Sequence, residues 1–175
     1  MANVMRVTKS LDDRALPLKG SVESMEIGDL VFLEKRFQGN TSQISVRPAS
    51  AGSTGSSAAD GRYQFATNFA GVAMQRHDQN SYDKTGLRCV VDGEIEILLA
   101  NSTGTATVAT APIAPGTKVG VAVTGAFVPI DDKVQVDGHH SVTIADNEAI
   151  GKVARLVKTG DAYVRVQIKS SQIFD

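Results

Sequence analysis

Glu94 and Glu96 stand two residues apart in Val91-Asp-Gly-Glu-Ile-Glu-Ile-Leu-Leu99, a spacing that puts both carboxylates on one face of a β-strand. Paired carboxylates can do acid–base chemistry, but the sequence brings no partner to them in a cleft, so an exposed sheet face is the favoured reading. Asp131, Asp132 and Asp137 form a second acidic group. They lack the one-on, one-off alternation with which a calcium loop aims its oxygens at one ion. His139 and His140 follow Asp137-Gly138, and adjacent histidines on a turn point in different directions, which suits a solvated turn better than a two-ligand metal site. His77, beside Asp78 in a polar loop, reads the same way. Cys89, the single cysteine, lies in the apolar run Leu87-Arg-Cys-Val-Val91 and is expected to be a buried strand thiol rather than a nucleophile. Pro115-Gly-Thr-Lys118 has neither the residue order nor the upstream glycine of a phosphate loop, and nucleophile-elbow and dinucleotide fingerprints are missing. The expectation is a non-enzyme with no cofactor and no metal.

The elements that position these residues read as β throughout. Val164, Val166 and Ile168 alternate with Tyr163, Arg165 and Gln167, and Ile95, Ile97 and Leu99 alternate with Glu94 and Glu96, each the two-residue period of a half-buried strand. Lys158–Asp161 supplies a turn before the first of these strands, and Asp92-Gly93 predicts a tight hairpin between Leu87–Val91 and Glu94–Ala100. Further strands are expected at Glu26–Glu34, Ile44–Arg47, Thr103–Thr110, Lys118–Val123, Ala126–Ile130, Lys133–Val136 and Ser141–Ile144. Helix is scarce, with short candidates at Tyr63–Phe69 and Ala145–Ile150. The segment 48–61 is built of Ser, Gly, Ala and Thr and is read as a flexible loop. Regular short strands separated by turns describe an all-β fold, a small barrel or sandwich of antiparallel strands.

Some of these pieces recur. Gly71 in Phe69-Ala-Gly-Val-Ala73 and Gly151 in Ile150-Gly-Lys-Val-Ala154 share a setting, and Gly28 and Gly116 each open a β-rich run after a turn. The pattern reads either as two unequal copies, about 28–100 and 116–168, or as chance recurrence of common Gly-Val-Ala strings.

Composition narrows the function classes. Eighteen basic and 19 acidic residues leave a net charge of −1, without the basic excess of a nucleic-acid or anionic-membrane binder. The absence of Trp, with 3 Tyr and 6 Phe, argues against stacking platforms for sugars or single strands. No run approaches the length of a membrane span and the first residues lack a signal-peptide pattern, so a soluble protein made in a cytosol is expected, contacting neither membrane nor nucleic acid.

The series Gly28-Asp-Leu-Val31, Phe69-Ala-Gly-Val-Ala73, Val91-Asp-Gly-Glu-Ile-Glu96, Ala114-Pro-Gly-Thr-Lys-Val119, Ala149-Ile-Gly-Lys-Val-Ala154, Gly160 and Val164-Arg-Val-Gln-Ile168 resembles the head decoration, or capsid cement, proteins of tailed bacteriophages. The resemblance covers most of the chain from Gly28 onward and rests on glycines, small residues and valines. It implies a small β-barrel on the outer surface of a virion that bridges neighbouring major capsid subunits and stabilises the expanded shell. It also implies a homo-oligomer, with a trimer favoured by capsid threefold axes and a dimer as the runner-up. A phage tail or baseplate β module and a small-ligand-binding β-barrel are the rival readings. The chain departs from the family in its longer N-terminal part and in the 48–61 insertion. Residues 1–26 are read as an extended arm preceding a single barrel domain, 27–175. Val4, Val7, Leu11, Leu16, Leu18 and Val22 are the candidate contacts to capsid or neighbouring subunit, because Pro17 bars an amphipathic helix and the apolar residues are too many for a solvated tail. The alternative is that the arm folds back as an edge strand of its own barrel.

Overall fold

The computed structural model describes residues 6–18, 23–38, 41–80 and 86–171. The described residues form nine strands in one sheet: β1 (Arg6–Leu16), β2 (Leu30–Gln38), β3 (Thr41–Pro48), β4 (Phe69–Ala73), β5 (Leu87–Leu99), β6 (Lys118–Val123), β7 (Pro129–Val136), β8 (Gly151–Val153) and β9 (Tyr163–Lys169). Among the described residues a helix, α1 (Ala58–Thr67), lies between β3 and β4. The strand order β5-β7-β6-β8-β9 returns to β5 through β5–β9 pairing, so these five strands close a barrel.

The first half of the chain repeats that arrangement strand for strand. Val31 opposite Gly71 answers Val119 opposite Gly151, and Leu33 opposite Val46 answers Val121 opposite Val134. Ala73 opposite Cys89 answers Val153 opposite Val166, while Ala15 opposite Arg88 answers Glu96 opposite Arg165. The main-chain bonds agree. Gly28 N–H donates to Ala73 O and Gly116 N–H to Val153 O, both at 2.8 Å; Met74 N–H donates to Arg88 O and Ala154 N–H to Arg165 O, again at 2.8 Å. The gap between β3 and β1 is bridged by Val46 N–H to Pro17 O at 2.8 Å. The recurrence of glycines in the sequence is therefore a structural repeat of two five-strand units, but not with the expected bounds of 28–100 and 116–168: β1 belongs to the first unit, and Glu94–Leu99 opens the second. β5 serves both, its first half as the last strand of one and its second half as the first strand of the other.

Burial follows the alternation read from the sequence. Ile95, Ile97, Val164, Val166 and Ile168 are wholly buried in one cluster, with Ile95 opposite Val166 and Ile97 opposite Val164. Leu18, Met25, Val31, Val46, Leu87 and Cys89 fill the first unit as a separate cluster. Each such side chain contributes about 1.5–3 kcal/mol when taken from water, which suffices to fix the inward faces.

Five sequence expectations are corrected. Asp92-Gly93 is not a hairpin turn: β5 runs straight through it, because ladders to β1 and β9 on either side outweigh a local turn preference. Gly93 is needed for approach rather than reversal, since a Cβ there would lie 2.2 Å from Lys9 O. Thr103–Thr110 is not a strand; Asn101 Oδ1 accepts the N–H groups of Thr103 and Thr105, both at 3.0 Å, and this side-chain turn competes with the ladder, leaving only an isolated bridge between Ala100 and Ala106. Ala126–Ile130 and Ser141–Ile144 are mostly loop, with β7 beginning at Pro129. The 48–61 segment is packed rather than loose. Pro48, Ala49, Gly55 and Gly61 are buried, Ser57 caps α1 by accepting from Asp60 N–H at 3.1 Å, and the helix starts three residues before the segment ends.

The described part of the N-terminal stretch that forms β1 is extended and takes the fold-back arrangement. β1 pairs antiparallel with β5 from Arg6 opposite Glu96 to Leu16 opposite Leu87.

A Cβ added at Gly71 would sit 2.2 Å from Val90 O and one at Gly151 2.2 Å from Gln167 O, two equivalent positions. Gly71→Ala and Gly151→Ala are each expected to lower unfolding free energy by about 2–4 kcal/mol, while Gly125→Ala, which meets nothing within 4 Å, stays near neutral in the same urea titration. Ile97→Asp is expected to abolish cooperative folding, because its carboxylate would enter a fully apolar interior; a soluble variant with a sharp thermal transition would contradict the face assignment.

Candidate functional site

A concentration of titratable groups lies where the first unit meets β7. Glu26 and Asp29 come from the turn before β2, and Asp131 and Asp132 from β7; with Ser24, Ser50 and Pro129 they line a cleft of about 460 Å³. Asp29 is 5% exposed and its carboxylate accepts the Glu26 N–H at 2.7 Å. Asp131 accepts from Ser50 N–H at 2.6 Å and Ser50 Oγ at 2.7 Å, while Lys133 Nζ donates to Asp132 at 2.6 Å and Arg76 lies 3.2 Å from Glu26. Burial, reinforced by the facing Asp131 and Asp132 charges, pushes Asp29 up to about 6, against the opposing pull of the Glu26 N–H. Burial likewise raises Asp131, with Asp132 adding to it and the Ser50 hydrogen bonds lowering it. The chemistry available to this junction is uptake of a proton. In the repeat, Asp29 corresponds to Thr117, whose Oγ1 donates to Ala114 O at 2.7 Å, so the same turn is held there without charge.

Sequence reasoning found Asp131 and Asp132 but not Asp29 or Glu26, which sit a hundred residues away in a turn with no motif. The remaining candidates are scattered. Glu96 meets Arg165 at 3.4 Å on the outer face of β5, and Asp137 accepts from Ile144 N–H at 2.8 Å. His77 and His139 are not solvated as expected, whereas His140 is half-buried. His77 is buried because its backbone pairs with Met25, the position Val157 holds opposite Ile113 in the second unit. His139 is buried with its Nε2 accepting from Thr110 N–H at 3.2 Å, and burial, with His140 beside it, keeps its imidazole below the ordinary value. Among the described residues no group of three or more His, Cys, Asp or Glu is arranged to hold a metal ion. Cys89 is buried as expected, and burial pushes its thiol up to about 12.

Of the candidate contact residues, Val4 and Val22 lie outside the described residues. Leu18 is 2% exposed inside the first unit, Val7 and Leu16 are half-buried, and Leu11 is 56% exposed.

The repeat also gives the molecule two equivalent ends. The Met25–His77 bridge lies beyond the N-terminal end of β5, and the equivalent Ile113–Val157 bridge lies at its C-terminal end. The length of β5, 13 residues, sets the ends roughly 40 Å apart. Both ends carry an exposed aliphatic side chain: Ile27, 54% exposed, follows Glu26, which pairs with Arg76, and Leu156, 57% exposed, follows Arg155.

Because Asp29 titrates higher folded than unfolded, its ionisation works against the fold: its contribution is most favourable below about pH 4 and is lost as pH rises through about 6. Asp29→Asn keeps an acceptor for Glu26 N–H and removes the charge. It is expected to raise stability above pH 6 by about 1–3 kcal/mol and to flatten this part of the pH profile in thermal melts; an unchanged profile would show that Asp29 is not the titrating group.

Comparison of the chain with family models, curated proteins and solved structures finds no match.

Proposed function

We propose that the chain is a structural accessory protein of a bacteriophage head, which binds the outer surface of the capsid and bridges neighbouring major capsid subunits without catalysis. The sequence resemblance to capsid cement proteins motivates this reading. The observation that carries it is the pair of equivalently built ends at opposite poles of one continuous strand. A linker between lattice subunits needs two contact points held at a fixed separation, and a shared β-strand provides that separation without a flexible joint. Such a protein stabilises the expanded shell by linkage, since it binds only where subunit spacing fits, and many weak copies act together through avidity.

The test is addition of purified protein to expanded heads that lack it, followed by sedimentation. The expected result is co-sedimentation at a fixed ratio to the major capsid protein and a higher disruption temperature of the heads. Ile27→Asp or Leu156→Asp is expected to weaken binding, and the double variant to abolish protection, with the melting of the free protein unchanged. No binding to any head, or protection that survives loss of both tips, would overturn the reading.

A further inference from the structure

β1 and β5 are equivalent strands, the first of each unit: Asp13–Leu16 occupy the places of Glu94–Ile97. On β5, one edge carries two neighbours. β7 pairs at Leu98 and Leu99, and β1 lies antiparallel beside the rest, with Lys9 opposite Glu94. On β1, the matching edge carries only the equivalent of β7, through the Val46–Pro17 hydrogen bond, and no strand occupies the remainder among the described residues. The fold thus contains a template for a strand that the first unit lacks, and the template is itself a β1.

We propose that this edge receives β1 of a second copy of the chain, antiparallel, forming a two-fold dimer. Strand equivalence and charge set the same register. Carrying the Lys9–Glu94 pairing over to the equivalent residue sets Lys9 opposite Asp13 of the other copy. Charge gives the same answer: with the axis at Leu11, each Lys9 meets an Asp13 and the two Leu11 side chains meet each other. Leu11 is a large apolar side chain 56% exposed in a strand, and Lys9 makes no ion pair among the described residues, while Asp13 pairs with Arg88 at 2.5 Å and retains a second oxygen. Asp12 stands where β5 has Gly93, so the strands approach less closely there and the dimer is expected to be concentration-dependent. An isologous edge closes at two copies, which sets this state against the trimer expected from capsid symmetry. The inference is independent of what the ends of the molecule bind.

Sedimentation velocity of the full chain up to high micromolar concentration is expected to show a monomer–dimer equilibrium. Leu11→Lys, which sets two cations on the axis, and Lys9→Glu, which faces Asp13, are each expected to weaken it about tenfold or more. The exchange Lys9→Glu with Asp13→Lys is expected to restore it. Leu11→Cys supplies a readout that tolerates modest destabilisation: mild oxidation is expected to give a covalent dimer, with Cys89 buried and silent. A wild-type chain that stays monomeric, one that sediments as a trimer, or a Leu11→Cys chain that does not cross-link would each overturn the proposal.

Discussion

The main-chain hydrogen bonding of β5 is the constraint on which the structure depends. Over its thirteen residues the strand pairs with β1 and β4 early and with β1, β9 and β7 later. Among the described residues no other strand touches both units so extensively, and the alternation of buried and half-buried side chains through Leu99 keeps both interiors in register with a single backbone. A one-residue slip in β5 would turn the apolar face outward in the units on both sides at once. Gly93 marks the point where the strand changes allegiance, and the absence of a side chain there lets β1 press close enough to serve as a neighbour along the whole length.

A second tie runs through the crossovers. α1 fills the connection between β3 and β4, and the 3₁₀ turn Asp146–Glu148 fills the equivalent connection between β7 and β8. Arg62 of α1 reaches across, donating from Nε to Glu148 at 2.7 Å, from Nη1 to Gln135 at 3.0 Å and from Nη2 to Thr143 O at 3.0 Å. Gly120 makes room for it, its missing Cβ lying 3.0 Å from Arg62 Cδ. The position equivalent to Gly120 in the first unit is Phe32, which packs against Phe65 of the same helix. The two units thus use one helix differently, by aromatic packing on one side and a buried ion pair on the other. Such a pair specifies how the units meet more than it stabilises them, because its desolvation offsets much of its attraction.

What the sequence revealed was local in origin. The faces of Glu94–Leu99 and Val164–Ile168, the buried Cys89 and the shared settings of Gly71 and Gly151 each depend on a few neighbouring residues, and each was readable. What it concealed depends on distant ones. Asp92-Gly93 is a turn signal in any short window, and only the ladders on both edges override it. The 48–61 segment carries little apolar surface, yet small residues bury well when backbone must approach backbone: a Cβ at Gly55 would lie 2.4 Å from Gly61 N. The acidic junction joins a turn near residue 28 to a strand near residue 131, and no spacing rule connects them.

The continuous strand also decides how the molecule carries load. Tension applied between its two ends runs parallel to β5, so the β1–β5 and β5–β9 ladders are strained in shear, with many hydrogen bonds sharing the force together rather than opening one after another like a zip. A body joined by a linker would instead extend at the linker first. A molecule of this construction resists stretching along one axis while remaining easier to peel apart across it.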